Sequence, residues 1–282
     1  MQKKRGMEMS IKIMNRLEPA YAEKIKRLEN EVTSHDQISL KLEIDYKLAF
    51  MQEEIENNEF IYLDGQEVVG YIGILSFGDS AEISGMVHPD YRRRGIFKKL
   101  FEDVKKEIKQ RKFEEVLLLA DERSVAGKLC IEHLGGKYLN SEYEMSFVDH
   151  PLDNRSRLEF LKSAPEHHRA IETIDDACFG KSYATTCDST YVAQHQGVIV
   201  GKVRLEMLNN VGGIFGLGVL PTYQKKGYGK SILESSVFEL KKQGAEKVFL
   251  QVLTENENAL GLYLDTGFKI DSRMDYYEWE LI

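Results

Sequence analysis

The chain has 282 residues, 42% of them apolar and 30% charged, with 38 Lys+Arg against 46 Asp+Glu. That length suggests roughly two domains. The charge divides into 23 basic and 28 acidic residues over 1–150 and 15 basic and 18 acidic after it, −5 and −3, so neither half is a basic nucleic-acid surface. Apolar runs such as residues 116–120 fall far short of the ~18 a membrane helix needs. The opening MQKKRGMEMS is charged, with no apolar stretch behind it, so no leader is expected and a cytoplasmic location follows. Cys130, Cys178 and Cys187 are odd in number and form no CxxC pair. They read as reduced thiols, with neither a disulfide framework nor a metal site expected.

Residues 10–58 carry a predicted strand and two helices. Runs at 60–63 and 68–75, joined by Asp64-Gly65, read as an antiparallel hairpin. A strand ending at Val87 feeds a helix with apolar residues at Leu100, Phe101, Val104 and Ile108. A short strand at 116–119, an amphipathic helix ending at Gly135 and a strand near 143–148 follow. The polar stretch 149–157, with Pro151, marks a boundary, giving expected domains 1–149 and 150–282. The order then returns. There is a strand with a helix from Pro165, and a hairpin from 190–195, Gln196-Gly197 and 198–207. A strand ending at Val219 leads into a helix with Ile232, Leu233, Val237 and Leu240. A strand at 248–252, a helix ending at Gly267 and a strand at 274–281 complete the copy.

The two halves are related by a repeat. GMVHPDYRRRGIFKKL at 85–100 returns as LGVLPTYQKKGYGKSIL at 217–233. One gapless offset aligns Val87 with Val219, Pro89 with Pro221, Tyr91 with Tyr223, Gly95 with Gly227, Gly135 with Gly267 and Phe147 with Trp279. Each copy is long enough to be a domain with its own core, an α/β unit.

The stretch Gln224-Lys225-Lys226-Gly227-Tyr228-Gly229-Lys230 lies where a strand turns into a helix. Small residues admit a ligand close to the backbone there, and the free N–H groups of the first helical turn form an anion site. Geometry alone also accounts for glycines in such turns. A P-loop needs a glycine where Gln224 stands, and neither copy has the three glycines of a dinucleotide turn.

With its surroundings the motif resembles the GNAT superfamily of acyl-CoA N-acyltransferases. The second copy shows Gly218-Val219, then Pro221-x-Tyr223-Gln224-x-x-Gly227-x-Gly229. Further on comes Asn256-x-x-Ala259-x-x-Leu262-Tyr263-x-x-x-Gly267-Phe268. Both copies are covered, so the protein looks like a tandem GNAT. The resemblance implies two domains, each a twisted, mixed, largely antiparallel sheet flanked by helices. It implies acetyl-CoA as acyl donor, an amine acceptor (a small molecule or a peptide amine), and direct attack in a ternary complex.

Carried over residue by residue, the resemblance puts the pyrophosphate on the backbone of Gln224 to Lys230, with Lys225, Lys226 and Lys230 adding charge. Leu217, Gly218 and Val219 would pair with the pantetheine arm, Asn256 would tie the next helix to it, and Tyr263 would be the general acid. Asn256 also suits an ordinary helix N-cap, and Tyr263 a core aromatic. No acid stands on the strand before the motif, leaving Glu206, His195 or Asp188 as candidate base. Lys202, Arg204 and Glu206 alternate like a solvent face. In the first copy a second cofactor site would use Val87, Arg92, Arg94 and Gly95. There Phe97 replaces the last small residue, Ser124 stands for Asn256, and Ile131 for Tyr263. Isoleucine donates no proton, so Tyr138 or Tyr143 would have to substitute. The second copy is thus the expected catalyst and the first a degenerate one. The rival reading is a non-catalytic acyl-CoA sensor or interaction protein on the same fold; transfer of a longer acyl chain is a further alternative.

Overall fold

A computed structural model describes residues 9–51, 56–148, 151, 158–180 and 189–280. The chain forms two compact units, Met1–Ser141 with Arg273–Ile282, and Glu142–Ser272. These limits depart from a division at residue 149. The last strand of each sequence copy is built into the unit made by the other copy. Along a strand side chains alternate regardless of which neighbour it has, so the sequence pattern of these two strands does not name their partners.

In unit 1 the elements are β1 (Met9–Met14), α1 (Pro19–Asp36), α2 (Ile44–Phe50), β2 (Glu59–Asp64), β3 (Glu67–Phe77), β4 (Ser80–Val87), α3 (Ile96–Arg111), β5 (Glu115–Asp121) and α4 (Val125–His133). Pro19 opens α1 where its missing N–H costs nothing, and left-handed Gln37 ends it. The sheet runs β1-β2-β3-β4-β5 and is closed by the second half of β12 (Phe268–Glu278), where Met274↔Asp121 to Glu278↔Leu117 pair antiparallel. Only β4 and β5 are parallel, and only over Ser80–Ile83 against Glu115–Leu118. Apolar side chains of α3, among them Leu100, Phe101, Val104 and Ile108, pack on one face together with Trp279. Those of α1 and α2 cover the other, over Ile61, Tyr71 and Met86.

Unit 2 holds the second half of β6 (Lys137–Phe147), β7 (Glu159–Lys162), α5 (His168–Phe179), β8 (Thr190–His195), β9 (Val198–Leu208), β10 (Val211–Val219), α6 (Tyr228–Lys242), β11 (Lys247–Leu253) and α7 (Glu257–Asp265). Its sheet order is β7-β8-β9-β10-β11-β6. Two-residue turns with positive φ join the strands, Gln196-Gly197 between β8 and β9 and Asn209-Asn210 between β9 and β10. That backbone suits the twist of a hairpin. Ile232, Leu233, Val237 and Leu240 of α6 are fully buried on one face of the sheet, and α5 packs on the other side of β9 and β10. Each unit is therefore a mixed, mostly antiparallel sheet between helices, as expected. Among the described residues no helix is long and apolar enough to cross a membrane.

Candidate active site

In unit 2, β10 pairs with β11 only over Val211–Ile214 against Lys247–Leu250. Beyond Ile214 the two strands have no pairing with each other. On its other edge β10 breaks register with β9 between Phe215 and Gly218. This bulge contains Gly216, whose φ of +54° is left-handed, a conformation glycine adopts without steric cost. On the edge that β11 leaves, the stretch with Leu217, Gly218 and Val219 offers backbone groups to a ligand, while Gly218 and Val219 stay in register with Lys202 and Gly201 of β9. The backbone groups on that edge are the ones an extended amide chain would pair with.

The strand then enters the turn. Lys225 (φ +58°) and Gly227 (φ +83°) are left-handed, and Gly227 caps α6. Ser231 N–H makes the first helical bond, to the Gly227 carbonyl at 3.1 Å. Among the described residues none accepts from the N–H groups of Gly227, Tyr228, Gly229 or Lys230. Four converging donors with a helix dipole behind them suit a phosphate. A Cβ built on Gly229 would come within 3.3 Å of Leu262 Cδ2, so α7 abuts the turn and a larger residue would narrow the space between them. The Gln224 side chain turns back instead, donating to the Val219 carbonyl at 2.9 Å. Lys226 lies over the Tyr223 ring, 5.0 Å from its centroid; Lys225 and Lys230 are exposed.

Asn256 caps α7, its Oδ1 accepting from Ala259 N–H at 3.1 Å. Its Nδ2 has no acceptor among the described residues. Tyr263 lies on the same helix, packed against the core beside Phe268 at 6.1 Å between ring centroids. No described residue bonds its hydroxyl, and burial pushes the phenol above its ordinary pKa of 10.0. It stays protonated at neutral pH, which a general acid requires.

The base candidates separate. Asp188 lies outside the described residues, as does Cys187. His195 sits against Tyr228, 5.2 Å between rings, at the phosphate end of the site; its Nδ1 is buried without a partner among the described residues. Glu206 opposes Gly213 from β9 and is paired with Arg204, Oε1 to Nε 3.3 Å. It stands one strand away from the gap between β10 and β11. Lys202 does not follow the solvent-face reading: it is buried and paired with fully buried Asp175 of α5. Its ammonium lies below the bulge, 3.5 Å from a Cβ built on Gly216. Sequence reasoning missed this pair because α5 covers a strand that alternates as if exposed. Cys178 donates its thiol to the Val219 carbonyl at 3.4 Å, and burial raises both its pKa and that of Cys130. Neither is a poised nucleophile. Among the described residues no cluster of three His, Cys, Asp or Glu could hold a metal.

Unit 1 has the same turn with its side chains engaged. Left-handed Arg93 and Gly95 (φ +63° and +74°) precede α3, and Lys99 N–H makes its first bond, to Gly95. Arg92 donates through Nε to the Val87 carbonyl at 3.1 Å and through both terminal nitrogens to Asp36 at 3.0 and 2.6 Å. The Arg92 hydrogen bonds hold the Asp36 carboxyl below its usual range. Arg94 reaches the Asp90 carbonyl and stacks on Tyr91. Ser124 caps α4 as Asn256 caps α7. Tyr138 shares a hydrogen bond with Ser141, and Tyr143 belongs to unit 2.

The sequence profile described as Acetyltransferase (GNAT) family matches residues 16–127 and again 153–268. The chain belongs to this GNAT family. A GCN5-related N-acetyltransferase from Sphaerobacter thermophilus shares the fold at TM-score 0.81 and 18% identity, over 97% of this chain and 96% of that one. A tandem GNAT protein from the clavulanic acid biosynthesis pathway aligns at TM-score 0.70 and 12% identity, covering 98% and 99%. Among curated GNAT relatives, the [ribosomal protein bS18]-alanine N-acetyltransferase of Haemophilus influenzae is 35% identical over 80 residues, 28% of this chain and 54% of its own. An N-alpha-acetyltransferase of Sulfurisphaera tokodaii is 30% identical over 92 residues, 28% of this chain and 55% of its own. The chain thus spans about half the length of these relatives. Within unit 2 the GNAT signature residues 217–219, 224–230, 256 and 263 fall on β10, the turn and α7, around the end of the sheet where β10 leaves β11.

Proposed function

We propose that unit 2 transfers an acetyl group from acetyl-CoA to an amine. The observation that carries this reading is the continuity of three features. The half of β10 that leaves β11 runs straight into a turn with four N–H groups that lack acceptors among the described residues, and α7, with Tyr263, abuts that turn through Leu262. A pyrophosphate suits the turn, and the amides of a pantetheine arm suit the edge of β10 and the Asn256 Nδ2.

In the reaction a neutral amine nitrogen attacks the thioester carbonyl carbon. A C–N bond forms, the C–S bond breaks, and the Tyr263 hydroxyl gives its proton to the departing thiolate sulfur. The proton lost by the amine passes to water or to a carboxylate such as Glu206 through water, and Tyr263 is reprotonated from solvent. A backbone N–H of the bulge, held by structure before the substrate arrives, stabilises the negative charge that develops on the carbonyl oxygen. The buried Lys202 beneath Gly216, ion-paired with Asp175, holds that side of the strand in place. Acetyl-CoA and amine are bound together, and no acyl-enzyme is needed. The relatives with named acceptors act on a protein alanine, so peptide α-amines head the acceptor panel, followed by polyamines and amino sugars.

The test is calorimetric titration with acetyl-CoA and release of free CoA thiol over that panel, on the wild type and on Gly227→Glu. Saturable binding with thiol release, both lost in the variant, is expected. Binding without thiol release from any amine would leave an acyl-CoA sensor; no binding by folded wild type would overturn the reading.

A further inference from the structure

Both units keep the left-handed turn before a helix, yet they differ in the space beside it. We propose that unit 1 has filled its own acyl-CoA groove, with Phe97 as the residue that closes it, so that the chain takes one acyl-CoA, in unit 2. This inference rests on the proposed function for the place of the open groove.

Three observations carry it. First, residue sizes are exchanged between the copies. Unit 2 has Leu217 on the strand and Gly229 on the helix; the repeat aligns these with Gly85 and Phe97 in unit 1. The Phe97 ring lies over β4, 3.1 Å from a Cβ built on Gly85, and stacks on Phe101 with 6.0 Å between centroids at 17°. It spans from the helix start to the strand and packs on the core with Val87 and Tyr91. In unit 2 the corresponding Gly229 puts no side chain across the strand, and the nearest atoms to a Cβ built there are Leu262 Cδ2 at 3.3 Å and Val219 Cγ2 at 4.0 Å.

Second, β3 and β4 pair without interruption from Phe77↔Ser80 to Gly70↔Val87. Ser84 stands where unit 2 has Gly216, so β4 lacks the bulge of β10, although it leaves β5 after Ile83 as β10 leaves β11 after Ile214.

Third, the face opposite α3 is strapped shut where β4 and β5 part. In the α1–α2 connection, Ser39 N–H donates to Asp121 of β5 at 2.7 Å. Lys41 donates to the Tyr276 hydroxyl of β12 at 2.8 Å and pairs with Glu82 of β4 at 3.0 Å. One short segment is thereby fastened to three neighbouring strands. The groove is occupied by the unit's own residues on both faces of the sheet.

Trp279 is the chain's one tryptophan and provides a local reporter. It meets Phe101 edge-on at 5.2 Å, and Phe101 carries the Phe97 ring. Acetyl-CoA titrations are followed by calorimetry and by Trp279 emission excited at its red edge. The proteins are wild type, Gly227→Glu, Phe97→Gly, and Phe97→Gly with Lys41→Ala to release the strap. Far-UV circular dichroism and thermal unfolding establish that each is folded; Phe97→Ala replaces Phe97→Gly if the glycine variant is not. The wild type is expected to bind one equivalent with unchanged Trp279 emission. Opening the groove, singly or with the strap released, is expected to add a second, weaker equivalent that alters the emission. Two equivalents in the wild type, or one remaining in Gly227→Glu, overturns the proposal, as does no added binding in either opened variant. If the wild type binds nothing, the reading of unit 2 fails. The opened variants still decide about Phe97 by whether binding and the Trp279 response appear.

Discussion

Removing the Tyr263 hydroxyl separates a chemical role from a packing role. The ring lies beside Phe268 against the core of unit 2, while its oxygen has no partner among the described residues. Tyr263→Phe therefore keeps the packed ring and deletes one desolvated hydroxyl that stabilises nothing, so stability changes by less than about 1 kcal/mol. The acetyl-CoA dissociation constant stays the same within about twofold, a change of under about 0.5 kcal/mol. If the hydroxyl protonates the thiolate, kcat falls by about 10²- to 10⁴-fold, or about 3–5 kcal/mol of barrier. Because burial raises the phenol above 10.0, the wild-type rate climbs as the acceptor amine deprotonates and shows no fall from loss of the acid through the neutral and mildly alkaline range. The variant follows the same profile at a lower level. The assay is CoA thiol release with the best amine of the panel, alongside calorimetry and thermal unfolding. Wild-type turnover in the variant refutes the acid assignment. Loss of well over 1 kcal/mol of stability would show instead that the hydroxyl is a structural group.

Asn256→Ser keeps a helix cap, since Ser124 makes the same bond in α4, but removes the free amide. It should leave the melting temperature unchanged and weaken acetyl-CoA binding several-fold, and unaltered binding in calorimetry would dismiss the amide as a cofactor contact. Asp175→Asn leaves the buried Lys202 ammonium uncompensated and should cost about 3–5 kcal/mol in thermal or urea unfolding. Adding Lys202→Met should recover most of it; a single variant as stable as wild type would contradict the pairing. Folding raises the Glu29 pKa from 4.5 to about 7, through burial first, with Asp45 and Glu43 adding and Lys26 opposing. The folded state thus holds this proton more tightly, so the stabilisation is full below the unfolded value and is lost as pH rises through about 7. Urea unfolding followed on Trp279 should show Glu29→Gln to flatten that dependence, and an unchanged slope would count against it.

The parts of this molecule that demand special backbone were legible in its sequence. Gly227, Gly95 and the Gln196-Gly197 turn occupy positive φ, and such positions leave a residue signature. The amphipathic helices α3 and α6 were equally readable, because Leu100, Val104, Leu233 and Val237 bury one face each. What escaped depended on partners. Nothing in residues 142–147 or 273–278 states which β strand they pair with. Lys202 alternates as a surface residue does, and only α5 lying over it makes it buried. Phe97 departs visibly from the motif, but the role of Gly85 depends on the ring that rests on it.

The passage of β6 and β12 into each other's units has a consequence for how the protein is made. Strand β5 emerges from the ribosome with its hydrogen-bonding edge unmatched, because residues 274–278 are translated a whole copy later. Unit 2, by contrast, has β6 waiting before its own first strand exists. The copy translated second can therefore complete its sheet as it is made, while the copy translated first must keep an open, sticky strand edge through most of synthesis. Cutting the chain between the copies would yield two fragments that each lack a strand and hold the other's. Either half alone would have to close its sheet with its own last strand, where the whole chain uses the other copy's.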